Sequence, residues 1–330
     1  MSGGSWVEPA SRWIMLDGPT HYADFGGPEE GPLVVCVHGL SGSHRNWVDL
    51  APRLTAVARV LALDLPGHGR TPPDGRGLGI RSLRRLLHRF VAEAGGGPAI
   101  LVGNSMGGLL SLLEADPGFD ARRRATAAEP AGPTVAGLVL LDPALPRPRG
   151  ARADPAVVRM FAALAVPGLG ERMMAHQRAR VSVERQVRDA FARNAADPST
   201  ISPGVLAAHV ALLAERTDHA RFDGAMLTTT RSLLARLASR GPAARSVGRV
   251  TAPTMVVHGE ADRMVPVGVA RHLAELRPDW RVETRPGVGH LPQVEDAAGT
   301  ADLIMDWFGR EGRAAVETAR GAAGPRVAAA

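Results

Sequence analysis

The stretch Gly103-Asn104-Ser105-Met106-Gly107-Gly108 separates the apolar run 98–102 from the apolar run 109–113. It reads as a sharp strand-to-helix turn, a nucleophile elbow, that lifts a serine hydroxyl clear of the backbone. Such a turn needs tiny residues two before and two after the serine, because side chains there would collide with the neighbouring strand or helix. Gly103 and Gly107 meet that demand. In a chain with 38 glycines among 330 residues, the spacing gains weight from its context: β-type residues before it, a helix-compatible segment behind it, and a base and an acid elsewhere in the chain.

Working outward, strand-like runs recur at 33–37, 60–63, 99–102, 135–141, 254–257 and 281–285, with room for a helix between most of them. Short β-rich runs that rise into glycine-containing loops and then into amphipathic segments are the pattern of βαβ units, so a mainly parallel sheet is expected. Two earlier segments, 12–16 and 20–25, are joined by the hairpin signal Asp17-Gly18 and add an antiparallel edge.

The alternation breaks between residues 144 and 247, where helix starts replace strands. Asp154-Pro155 and Ser202-Pro203 each set a capping side chain before a proline suited to the first helical position. Val157, Phe161 and Leu164 follow the first at helical spacing, and Leu206, Val210 and Leu213 follow the second. The expected division is a core of 1–143 and 248–308, a helical cap over 144–247, and a disordered tail over 309–330, where alanine, glycine and arginine dominate.

With 45% apolar residues the chain can bury a large core. No stretch reaches the ~18 apolar residues of a membrane helix, and the N-terminus lacks a basic start and an apolar signal core, so a cytoplasmic, non-spanning protein is expected. All 39 basic residues are arginine, giving a net charge of +6. They are dispersed among acids in a chain with 4% aromatics, which argues against a nucleic-acid partner; clusters such as 122–124 read as solvated surface. The single cysteine, Cys36, lies inside an apolar run and reads as a core residue.

A serine nucleophile needs a base, and a carboxylate to hold that base in the right tautomer. His290, in the loop Gly287-Val288-Gly289-His290 after the last expected strand, is the preferred base; His88, His209 and His272 sit on helix faces and read as packing or surface. Asp262, after the strand 254–257, is the preferred acid, and the order Ser, Asp, His follows. Asp142, after the strand 135–141, is its rival. Backbone N–H groups of Met106, at the start of the helix after the serine, and of Leu40, in the loop His38-Gly39-Leu40-Ser41-Gly42, are the expected oxyanion donors. His38 itself reads as a structural residue holding that loop. No cofactor and no metal are expected, since the chain contains neither a His-x-x-x-His spacing nor a cysteine pair.

Five motifs stand in one order: His38-Gly39, Asp64-Leu65-Pro66-Gly67-His68-Gly69, Gly103 to Gly108, His258-Gly259-Glu260-Ala261-Asp262, and Gly289-His290. Over roughly residues 11–308 the chain resembles an α/β-hydrolase. The resemblance implies an α/β fold with a mostly parallel eight-stranded sheet flanked by helices, a helical cap after the sixth strand, and Ser105, Asp262 and His290 as a triad. The expected reaction is cleavage of small or medium apolar carboxylic esters. Asn104 and Met106 beside the serine also resemble the carbon–carbon bond hydrolases of ring-fission dienoates. Those enzymes carry Gly-Pro-Gly after the first His-Gly and a tryptophan after the histidine, where this chain has Ser41-Gly42-Ser43 and Leu291. They would also want a cap arginine for the substrate carboxylate, and Arg178, Arg180 and Arg185 read better as solvated helix faces. A cofactor-free haloperoxidase or perhydrolase, and a ligand-binding receptor on the same fold, are the remaining alternatives. Met160, Phe161, Leu164, Met173, Met174 and Met226 are the cap residues that could meet an acyl group.

Overall fold

The structure, a computed structural model, describes residues 8–94, 97–119, 135–216 and 218–323. Its centre is an eight-stranded sheet in the order β1-β2-β4-β3-β5-β6-β7-β8. The strands are β1 (Ala10–Met15), β2 (Pro19–Gly26), β3 (Leu33–Val37), β4 (Arg59–Leu63), β5 (Ala99–Asn104), β6 (Val135–Leu141), β7 (Thr254–Gly259) and β8 (Arg281–Arg285). β1 and β2 pair antiparallel, β2 joins β4 antiparallel, and every other pairing is parallel. The hairpin turns through Asp17 and Gly18, both at positive φ. Arg122, Arg123 and Arg124 lie outside the described residues.

The central strands read as unbroken apolar runs because helices cover both faces of the sheet. Alternate residues supply two separate cores. Val35, Val37, Leu61, Leu63 and Leu101 pack with Leu83, Leu87 and Phe90 of the helix Ile80–Ala94 and with Leu109 and Leu113 of the helix Met106–Ala115. Val34, Cys36, Val60, Ala62, Ile100 and Val102 face the opposite way and pack with Leu54, Ile304, Trp307 and Phe308. Cys36 is fully buried, and burial pushes its thiol far above its ordinary range.

The tail departs from expectation. Residues 309–323 are helical, first as a π-helical turn over Phe308–Gly312 and then as the helix Arg313–Ala323. Alanine and arginine are strong helix formers, and Val316, with Phe308, is buried in the second core. Few large apolar residues are needed when two of them find a ready-made face. Residues 324–330 lie outside the described residues.

Between β6 and β7 run the helices Pro155–Ala165, Leu169–Arg180, Val183–Asn194, Pro203–Glu215, His219–Leu237 and Arg240–Arg249. Asp154 and Ser202 cap the first and fourth, accepting from Ala156 N at 2.7 Å and from Val205 N at 3.2 Å. Val187, Phe191 and Val205 form a third cluster with Leu291 and Val294 beside His290. By contrast, no residue of Pro155–Ala165 is fully buried although the helix is almost wholly apolar. Val247, near the end of the last helix, belongs instead to the first core. Among the described residues no helix is long and apolar enough to cross a membrane.

Candidate active site

β5, β6 and β7 lie side by side, so the loops leaving their C-terminal ends open together. Ser105 follows β5, Asp142 follows β6, and Asp262 follows β7. Two backbone bonds lock this edge: Ser105 N donates to Leu141 O at 2.9 Å and Asp142 N to Val257 O at 3.0 Å.

Ser105 has φ 54° and ψ −116°, a conformation that costs a non-glycine residue about 1–3 kcal/mol and persists only where the surroundings enforce it. The enforcement is visible at the flanking glycines. A Cβ on Gly103 would stand 2.5 Å from Gly107 O, and one on Gly107 would stand 2.0 Å from Val37 O. The loop after β3 also approaches the serine, since a Cβ on Gly39 would stand 3.1 Å from Ser105 Cβ. Among the described residues the Leu40 N–H donates to no acceptor, and Met106 N–H, at the first position of its helix, has no intrahelical one. His38 anchors the loop, with Nδ1 2.7 Å from Gly39 O and Nε2 accepting from Leu65 N at 3.1 Å.

His290 Nδ1 lies 2.7 Å from Asp262 Oδ2, while Asp262 Oδ1 accepts from Met264 N at 2.7 Å and Val265 N at 3.0 Å. Burial raises the Asp262 carboxyl, but the charge and hydrogen bond of His290, aided by His258 and Val265 N, bring it below the usual carboxylate range. The structure therefore joins Asp262 to the imidazole directly. Asp142 stands beside that pair and makes no hydrogen bond to His290 among the described residues. The Ser105 hydroxyl makes none either; in a ligand-free site a nucleophile–base bond commonly tightens only when substrate arrives.

Asn104, next to the serine, ties the two halves of the site, its Nδ2 donating to His290 O at 3.0 Å and to Leu141 O at 3.2 Å. Glu295 holds the histidine loop from the other side: Gly289 N and Ala196 N reach its Oε2 at 2.9 and 2.8 Å, and Leu291 N its Oε1 at 2.9 Å. His290 N donates to Asn194 O at 2.9 Å, so the segment after the helix Val183–Asn194 is fastened to the histidine loop. Glu295 was beyond sequence reasoning; its only signal was a carboxylate one turn past the histidine.

A second convergence was also missed. His21 Nδ1 and His44 Nδ1 each lie 2.8 Å from Asp64 Oδ2, which also accepts from Arg70 N at 2.9 Å, while Oδ1 accepts from His44 N at 2.7 Å. Burial raises the Asp64 carboxyl, yet the charges and hydrogen bonds of His44 and His21 hold it well below the usual range. Among the described residues, His21, His44 and Asp64, and separately Asp142, Asp262 and His290, are the groups whose donor atoms converge closely enough for a metal ion. In the first, both imidazole Nδ1 groups are engaged with the carboxylate.

The three candidate arginines between β6 and β7 offer no clamp of free cations. Arg178 pairs with Asp223 and Arg185 with Asp189, and Arg180 is exposed.

Residues 34–303 match the alpha/beta hydrolase family, and the chain belongs to that family. It is 27% identical to the magnesium-chelatase 30 kDa subunit of Rhodobacter capsulatus over 86% of this chain and 88% of that one. It is 28% identical to a pimeloyl-acyl-carrier-protein methyl ester esterase of Aromatoleum aromaticum over 83% and 97%. Among solved structures, a serine hydrolase involved in carbazole degradation superposes with a TM-score of 0.66 at 22% identity, covering 92% of this chain and all of that one. The family relatives thus span a chelatase subunit and an esterase.

Proposed function

We propose that this protein is a serine hydrolase that cleaves carboxylic esters of small or medium apolar substrates through an acyl-enzyme. The observation that carries the reading is the forced left-handed Ser105 at the same strand edge as the Asp262–His290 pair. Ser105 Oγ attacks the ester carbonyl while His290 Nε2 takes its proton. Leu40 N–H and Met106 N–H hold the developing oxyanion, and Asp262 keeps the imidazole oriented and stabilises its charged form. Collapse expels the alcohol, which receives the proton from His290; water then repeats the sequence and frees the acid.

Residues 144–247 act as the cap. Its bonds to the histidine loop at Asn194 and Ala196 support that role, and half-buried Met160, Phe161 and Leu164 supply apolar surface for an acyl chain. The pairing of Arg178 and Arg185 with acids disfavours a carboxylate clamp of the kind a dienoate would want.

Ser105→Ala tests the reading. Turnover of short-chain p-nitrophenyl esters should fall by about 10⁴-fold or more, as for loss of a triad nucleophile, with the melting temperature little changed, since alanine keeps the Cβ that the turn already accommodates. Ester turnover that survives the substitution contradicts it.

A further inference from the structure

The triad reading leaves a second buried acid unexplained. Asp142 is fully buried at φ 44°, a strained position at the end of β6. Its Oδ1 accepts from Gly259 N at 2.9 Å. Among the described residues no donor is aimed at Oδ2, which is sealed from solvent. An ionised oxygen left so would cost several kcal/mol.

Its neighbours offer little relief. His258 Nε2 lies 3.4 Å from Asp142 Oδ1 and 3.7 Å from Asp262 Oδ2, but donates to Val265 O at 2.8 Å. Burial lowers His258 below the usual imidazole range, which disfavours its charged form. From the histidine loop come His290, already bonded to Asp262, and the negative Glu295. An oxygen of Asp142 and one of Asp262 lie within 4.8 Å of each other, and in a buried site two ionised carboxylates that close oppose each other strongly. A hydrogen on Oδ2 relieves both costs: the orphaned oxygen becomes a donor, and the neighbouring Asp262 carboxylate can accept.

We propose that Asp142 holds a proton and donates it to Asp262, so that the two acids share one negative charge beneath His290, and that Asp142 inherits the charge when Asp262 is removed. Asp142 is thus a positioning residue that acts through Asp262. Its carboxylate oxygen, the Asp262 oxygen and the His290 nitrogen lie within 4.8 Å of one another, so an ionised Asp142 can orient the same imidazole. This rests on the triad reading of the same site. The sequence offers these two acids as rivals; the sheet makes them partners.

The direction of the titration follows. Burial and the Asp262 charge raise Asp142 well above the usual carboxylate range, the direction that favours its neutral form while Asp262 is ionised.

The experiment compares wild type, Asp142→Asn, Asp262→Asn and the double variant, each checked for folding by circular dichroism. Two readouts are taken: fluorophosphonate labelling rate, which needs only an activated serine, and the infrared difference spectrum of the protonated carboxyl stretch. Asp142→Asn, which can still donate to Asp262, should label within about threefold of wild type. Asp262→Asn should lose about 10²-fold, less than the ~10⁴-fold typical of losing a triad acid, and the double variant should lose at least about tenfold more. Wild type minus Asp142→Asn should show a protonated carboxyl band at pH 7, and that band should vanish in Asp262→Asn as Asp142 ionises. A single Asp262 variant as slow as the double, or no such band in wild type, overturns the proposal. The infrared result stands whether or not esters are the substrate, so its failure is separate from failure of the esterase reading.

Discussion

Two carboxylates are sealed inside this protein at the ends of β4 and β6, and their surroundings push their titrations in opposite directions. Asp64 receives His21 Nδ1, His44 Nδ1, His44 N and Arg70 N. Asp142 receives one backbone N–H and faces another carboxylate. Both are fully buried and both have a histidine within reach, so burial does not decide the outcome. The number of donors does: four of them make a buried anion tolerable, whereas one donor and a neighbouring negative charge make the neutral acid the better state. The ionised acid is a structural hub, joining β2, β4 and the loop at His44. The neutral acid sits beside the chemistry.

The largest effect expected from breaking this contrast is at the hub. Asp64→Asn removes the charge that both histidines address and turns an acceptor towards backbone donors, so unfolding in urea should cost about 3–5 kcal/mol less than in wild type. Asp142→Asn, by contrast, keeps a hydrogen-bond donor where one already stands and should shift stability by less than about 1 kcal/mol at pH 5.

The pH dependence sharpens the difference because the signs oppose. The folded state holds Asp64 well below the usual range, so its stabilisation is present above that range and is lost as pH falls through it. Asp142 is held well above the range, so its contribution is complete below pH 4 or so and declines as pH rises towards its folded value. Urea denaturation from pH 5 to 9 should therefore slope downward less in Asp142→Asn than in wild type.

A smaller effect is expected at Glu295, whose carboxylate takes three backbone N–H groups around His290. Glu295→Gln keeps the shape but replaces one acceptor by a donor, leaving a buried N–H unpaired at about 1–3 kcal/mol. Loosening of the histidine loop should lower kcat more than it raises KM. The smallest belongs to the surface pair Arg185–Asp189 on the helix Val183–Asn194; Arg185→Ala should change stability by no more than about 0.5 kcal/mol.

What the sequence disclosed and what it withheld divide along the same line. β3 and β6 fall at the expected residues, since a strand buried on both faces writes itself as an apolar run; the edge strand β8 also falls where expected, though it is half-buried and polar. Ser105 is legible because an elbow needs glycines at fixed offsets, and Gly103 and Gly107 supply them. Asp142 is legible as a candidate acid, but its meeting with Asp262, like Glu295 and the His21–His44–Asp64 hub, was hidden because each depends on which segments become neighbours. β6 lies against β7 across more than a hundred residues of intervening chain, and no local pattern records that Asp142 and Asp262 will meet. The tail misled for a different reason: its composition resembles that of unstructured chain, while its helix depends on the face offered to Phe308 and Val316 by a distant sheet.

The central claim is that Ser105 is an activated nucleophile, and intact-mass analysis after exposure to a fluorophosphonate tests it most directly. The folded wild-type protein should gain one adduct, located to Ser105 by peptide mapping, and folded Ser105→Ala should gain none. A wild-type protein that remains unlabelled, or an adduct that persists in Ser105→Ala, would contradict it.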